Sequence, residues 1–183
     1  MSEKPARKKN RLDGHDYSQA GAYFVTICVK DRHELLGEIV GDGQVHPVQS
    51  KLSDIGRLVE REINRVQSIR KECSVDTFVI MPNHIHLIVR ITVVDVGDDC
   101  HRPEDTRNTQ IASRADCHPP LRKSLPNMVQ GLKGAVTRQL GFSIWQRAYH
   151  DHIIRSQNDY ARIAEYIDNN PACWTEDMYY IKH

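Results

Sequence analysis

The sequence predicts an α+β fold, an antiparallel sheet with helices packed against it. Three observations carry that prediction. Short β-branched and aromatic runs alternate with longer stretches whose apolar residues recur at helical spacing. The predicted order is strand, helix, strand, strand, helix, strand, helix, with no internal repeat. The chain has 183 residues, room for one domain with appendages and a core that needs no covalent staples.

Residues 1–20 are polar and read as a flexible basic arm. The first strand is AYFVTICVK, Ala22 to Lys30. A connection rich in turn residues follows, with Gly37, Gly41, Gly43 and Pro47, and has room for a small hairpin. Ser53 suits a helix N-cap, and Ile55, Val59, Ile63 and Val66 give the first helix its stripe, to Arg70. VDTFVIM, Val75 to Met81, is the second strand. Pro82 and Asn83 break it, and His84 to Val94 is the third. Residues 95–120 read as a mobile loop, unusually long inside a compact domain. Leu125, Val129, Leu132, Val136 and Leu140 mark the second helix, Pro126 to Leu140, and Gly141 is its natural stop. A fourth strand falls at Tyr149 to Arg155, and a last helix at Asn158 to Asn170, ended by Pro171. The first six elements match the split β-α-β of a ferredoxin-like domain. The domain is placed at residues 21–175, with a tail at 176–183.

Five cysteines, an odd number with no C-x-x-C pair, argue against a disulfide framework or a structural zinc site and for reduced thiols. No apolar run reaches the roughly 20 residues of a membrane helix. The start, MSEKPARKKN, lacks the apolar stretch of a secretory signal. Net charge is only +1, but its distribution is uneven. Lys4, Arg7, Lys8, Lys9 and Arg11 face Glu3 alone in the arm. Arg122, Lys123, Lys133, Arg138, Arg147 and Arg155 face Asp151 alone in residues 121–155. Two such segments either form one polyanion-binding face or are simply solvated.

The stretch MPNHIHLIV sets two histidines into a run that otherwise calls for burial. Successive strand side chains alternate faces, so His84 and His86 share one face, roughly 6.5–7 Å apart at the backbone. Ile85, Leu87 and Val89 take the other face. Two imidazoles on one rigid face either chelate a divalent ion or are merely hydrogen-bonded. On the last helix Tyr160, Ile163, Ala164 and Ile167 form the apolar stripe. Tyr166 lies off it, with Asn170 one turn further on the same side.

The blocks MPNHIHLIV, IWQRAYHDHIIR and EYIDNNPACW, with YSQAGAYFVTICVKDR before them, resemble those of the single-tyrosine HUH transposases of the insertion-sequence and REP-associated types. The resemblance runs colinearly from about Arg11 to Trp174. It implies a ferredoxin-like sheet carrying a C-terminal catalytic helix. It implies His84 and His86 as paired metal ligands, Asn170 as the third and Tyr166 as the nucleophile. The implied ion is Mn²⁺ or Mg²⁺, and the implied partner is single-stranded DNA beside hairpins, bound by a monomer or homodimer in the bacterial cytosol or nucleoid. Lys8, Lys9, Arg11, Lys133, Arg138 and Arg147 are then the candidates for DNA phosphates, and Tyr17, Tyr23, Trp145 and Tyr149 are open to base stacking or to the core. A histidine-triad hydrolase would need a third histidine where Ile88 stands, and a phosphoesterase with two H-x-[ST] motifs would need a second copy. The alternative is a hairpin-binding regulatory protein of the same fold without catalysis.

Overall fold

The computed structural model describes residues 15–41, 44, 47–92 and 124–181. The elements are β1 (Gly21–Cys28), β2 (Gly37–Val40), β3 (Gln49–Leu52), α1 (Asp54–Ile69), β4 (Cys73–Ile80), β5 (His84–Ile91), α2 (Leu125–Leu140), β6 (His150–Ile154) and α3 (Gln157–Asn169). The strand order β4-β5-β1-β6, all neighbours antiparallel, is the expected ferredoxin-like sheet. The room left for a hairpin is filled by β2 and β3, paired with each other apart from the main sheet.

The pleat divides the two faces cleanly. Ile85, Leu87, Val89 and Ile91 of β5 join Tyr23, Val25 and Ile27 of β1 in the main core. Val59, Ile63 and Val66 of α1 and Val129, Leu132 and Val136 of α2 cover that face. On the opposite face Ala22 and Ile88 meet Ile163 and Ile167 of α3. The sheet is therefore a middle layer, and the even-numbered residues of β5 face α3.

Local signals set the ends. Ser53 accepts from the Gly56 N–H at 3.0 Å, and Ser156 from the Asp159 N–H at 3.1 Å, so both caps are made by side chains. Gly141 closes α2 at φ 80°, in the left-handed region that favours glycine. The Leu36 carbonyl approaches Gly56 so closely that no Cβ fits between α1 and the segment entering β2.

Two expectations change. Residues 15–20 do not belong to a free arm: Tyr17 is buried and its carbonyl accepts from the Leu125 N–H at 3.1 Å. The C-terminal residues are no tail either. A 3₁₀ turn at Trp174–Glu176 leads to Tyr179, and Trp174 and Tyr179 are buried with Cys28 and Met81. The four aromatics considered for base stacking, Tyr17, Tyr23, Trp145 and Tyr149, are all core residues, because each lies where a strand or helix closes over the main cluster. Cys28, Cys73 and Cys173 are free thiols. The loop at 95–120, and with it Cys100 and Cys117, lies outside the described residues. No helix among those described is long and apolar enough to cross a membrane.

Lys133 has structural work that the sequence did not announce. Its ammonium donates to the carbonyls of Gln146 (3.0 Å) and Ala148 (3.1 Å), and lies 5.7 Å from the Tyr149 ring centre. Burial lowers its pKa to about 8. Lys133→Met keeps the aliphatic stem but leaves those carbonyls without the donor. We expect it to destabilise the fold by about 1–3 kcal/mol, seen as a lower urea midpoint with an unchanged slope.

Candidate functional site

The site is built at the start of β5. Pro82 and Asn83 form the turn from β4, and the strand then projects His84 and His86 toward α3. Both imidazoles are fully buried. Phe24 of β1 stacks on His86 with ring centres 5.1 Å apart, and Tyr179 lies 4.6 Å from His84. The C-terminal segment thus forms one wall.

Hydrogen bonds orient the rings. The Asn83 amide nitrogen donates to the Tyr179 carbonyl at 2.9 Å, which turns its oxygen toward His84 Nδ1, also at 2.9 Å. His84 therefore carries its proton on Nδ1 and presents a bare Nε2. That atom lies 3.0 Å from Nε2 of His86. His86 Nδ1 meets the Thr26 hydroxyl at 2.8 Å. When Thr26 donates to His86, the His86 proton sits on Nε2 and fills the gap to His84. When Thr26 instead accepts from His86, that proton sits on Nδ1 and both Nε2 atoms are bare. The gap thus accepts one proton or one cation.

Tyr166 and Asn170 arrive from α3, one turn apart, as the helical spacing predicts. Tyr166 is 41% exposed, but its hydroxyl points inward, 3.3 Å from His86 Nε2. It donates to Asp177 Oδ2 at 3.1 Å. The Asn170 amide nitrogen donates to the same oxygen at 3.0 Å, while Asn170 Oδ1 is buried and has no partner among the described residues. Burial first, then the Asp177 carboxylate, pushes the Tyr166 phenol well above the ordinary tyrosine range. The other tyrosine of the helix, Tyr160, is turned away: its hydroxyl meets Asp76 at 3.3 Å, beneath Arg90.

Asp177 escaped the sequence reading, which placed it in the tail. A ligand atom of Asp177 lies within 4.8 Å of those of His84 and His86. Its only sequence signal was an acid shortly after the tyrosine helix. Asn83 escaped too, read as a strand breaker although it sets the histidine tautomer. The basic candidates are not brought together here. Lys133 and Arg138 sit on α2, which covers the other face of the sheet. Arg147 is exposed, and Lys8, Lys9 and Arg11 lie outside the described residues.

The donors fit a divalent ion. Two ligands about 2.1 Å from one octahedral ion lie about 3.0 Å apart when adjacent, which is the His84–His86 spacing. The unpartnered Asn170 oxygen and the Asp177 carboxylate supply oxygen donors beside them. Fold and site together define a ferredoxin-like sheet that presents two buried histidines on one strand to a tyrosine of the last helix.

No family model matches the chain. A Haemophilus influenzae protein without an assigned function is 33% identical over 180 residues, spanning 96% of this chain and 93% of that protein. A second protein of the same organism, provisionally named a REP-associated tyrosine transposase, is 26% identical across 85% of this chain and 73% of its own length. The solved structure of a REP-associated tyrosine transposase bound to a REP hairpin shares the fold. Its TM-score is 0.57 at 20% identity, over 88% of this chain and 73% of that one. At 20% identity that likeness shows the shared fold, and 33% identity over nearly the whole of both chains shows common descent with the first Haemophilus influenzae protein.

Burial, with the neighbouring cation Arg32 for His84 and the neighbouring imidazole for His86, lowers both histidine pKa values. In the unfolded chain each binds a proton below about pH 6.5. The folded state does not take up those protons, so acidification favours unfolding. Stability should fall as pH drops from about 6.5, and His84→Gln/His86→Gln should flatten that fall, read as urea midpoint against pH.

Proposed function

We propose that this protein cleaves and rejoins single-stranded DNA beside hairpins through a 5′-phosphotyrosine on Tyr166. The reading rests above all on one observation, the Tyr166 hydroxyl held 3.3 Å from His86 Nε2 at the meeting point of the two histidines. His84 and His86 would hold a divalent ion, Mn²⁺ or Mg²⁺, with Asn170 Oδ1 and Asp177 as oxygen donors. The nitrogen pair favours Mn²⁺ over the more oxygen-demanding Mg²⁺. Such an ion supplies positive charge to the scissile phosphate and to the phenolate.

The chain's own groups supply the rest. A phenol with a raised pKa is a poor nucleophile alone, so Tyr166 needs both a cation nearby and an acceptor for its proton. The hydrogen bond to Asp177 gives that proton a path. Attack of the Tyr166 oxygen on phosphorus forms the Tyr–O–P bond and breaks the bond to the preceding 3′-oxygen, which leaves with a proton as a free hydroxyl. The phosphotyrosine conserves the phosphodiester, so a 3′-hydroxyl attacking it restores a DNA bond and frees Tyr166. The Phe24, Tyr179 and Trp174 rings pack around the two imidazoles and keep them from bulk water.

Tyr166→Phe removes only the hydroxyl. It should abolish cleavage and the covalent adduct while hairpin binding persists, whereas Tyr160→Phe cleaves near normally. A denaturing gel with labelled hairpin DNA and peptide mapping of the adduct checks this. An adduct persisting in Tyr166→Phe, with Mn²⁺ or without, would transfer the role elsewhere. No adduct in the wild-type protein under any divalent ion would favour a protein that acts by binding hairpins alone.

Asn83 offers a second test. Asn83→Ala removes both the Tyr179 contact and the acceptor that fixes His84. Groups that orient metal ligands typically contribute 10–100-fold to affinity, so Mn²⁺ binding, titrated by electron paramagnetic resonance, should weaken by about that factor. Unchanged affinity would show that His84 needs no such orientation.

A further inference from the structure

We infer that Arg32 anchors a DNA backbone phosphate next to the one that is cut, a role that rests on the nucleic-acid reading of the site. The 3₁₀ turn Lys30–Arg32 follows directly on β1, whose last residue, Cys28, pairs with His84. The Arg32 guanidinium carbon lies 5.5 Å from the centre of the Tyr179 ring, and that ring lies 4.6 Å from His84. One aromatic ring therefore separates this cation from a proposed metal ligand, a distance suited to a neighbouring phosphate and too long for the scissile one.

Its bonding leaves it available. Arg57, Arg65, Arg70, Arg90 and Arg162 each face a carboxylate. Half-buried Arg32 has no such ion pair among the described residues, and its one side-chain hydrogen bond there is a 3.3 Å contact to the Met178 carbonyl. A guanidinium has five donors in a planar fork that matches phosphate oxygens. Lys30 and Arg147, both exposed, flank the same end of β1.

The backbone holds this side chain in place at a cost. Asp31 and Arg32 have φ of 55° and 56°, a left-handed pair without glycine. Left-handed backbone is unfavourable for a residue that carries a Cβ. Hydrogen bonds fix it to its surroundings: the Lys30 N–H donates to the Ile144 carbonyl at 2.7 Å and the Val29 N–H to the Asn83 carbonyl at 2.8 Å. The turn that carries Arg32 is thus joined to the turn that aims His84.

Arg32→Gly suits this geometry, because glycine relieves the backbone and removes only the side chain. Its thermal midpoint should equal or exceed that of the wild type, and its Mn²⁺ affinity should not fall, since removing a neighbouring cation does not weaken a metal ligand. Binding to a fluorescent DNA hairpin with a single-stranded flank should weaken about tenfold. The slope of log affinity against log salt should flatten by about 0.7, one single-strand phosphate contact. Arg32→Lys should keep the slope and lose part of the affinity. A glycine variant with the wild-type salt slope would overturn the assignment. The readout is binding, so it stays separate from the Tyr166 adduct: loss of the cleavage reading leaves it standing, and its own failure leaves the adduct untouched.

Discussion

Two imidazole nitrogens held 3.0 Å apart in a buried place are the constraint around which this protein is organised. Bare lone pairs at that distance repel, and burial makes the alternative of charging both rings expensive. Something must fix the rings against each other, and the fold uses polar groups from three segments. Asn83 comes from the turn before β5, Thr26 from β1 and Tyr179 from the C-terminal segment. A proton satisfies the gap in one hydroxyl orientation. A cation would satisfy it in the other.

The layered sheet makes such a site tolerable. Alternation along β5 assigns Ile85, Leu87 and Val89 to the main core, so the strand is anchored without help from its histidines. The polar cost is confined to the other face, where α3 crosses with only a small apolar cluster. That economy leaves room at the end of α3 for Tyr166 and Asn170 to point at the sheet. Trp174 and Tyr179 then close the remaining side. The residues after α3 are as much a part of the site as the strand that bears the histidines.

What could be read from the sequence follows from which forces are local. Period-two and period-3.6 apolar patterns gave every element of the main sheet and its helices, with ends displaced by a few residues. The shared face of His84 and His86, and the one-turn relation of Tyr166 and Asn170, are consequences of backbone geometry alone. Asp177 was not legible, because its place depends on how a short irregular segment folds back after Asn170. The structural role of Lys133 was not legible for a similar reason. A lysine on a helix looks solvated until the loop at 146–148 brings its carbonyls over it. Charge along the chain identified basic segments, but only the sheet's topology shows that α2 lies across the sheet from the histidines while the turn at Arg32 lies beside them.

Asp177 gives the site an order of events under the proposed chemistry. Its carboxylate accepts from both Tyr166 and Asn170, so the groups that would act on DNA are gathered around a negative charge. A phosphodiester brought to the same place meets that charge directly, in surroundings of low dielectric where repulsion is strong. A divalent cation held by His84 and His86 would remove the conflict, since it would attract the carboxylate and the phosphate alike. Asn170 Oδ1, which has no partner among the described residues, would serve it as an oxygen donor. Metal and DNA should therefore bind with positive coupling, each raising the affinity for the other by the same factor. The acidic residue that holds the phenol also makes the protein a weak ligand for phosphate at this point until the cation is in place, and the arginine one ring away can engage the strand in either state.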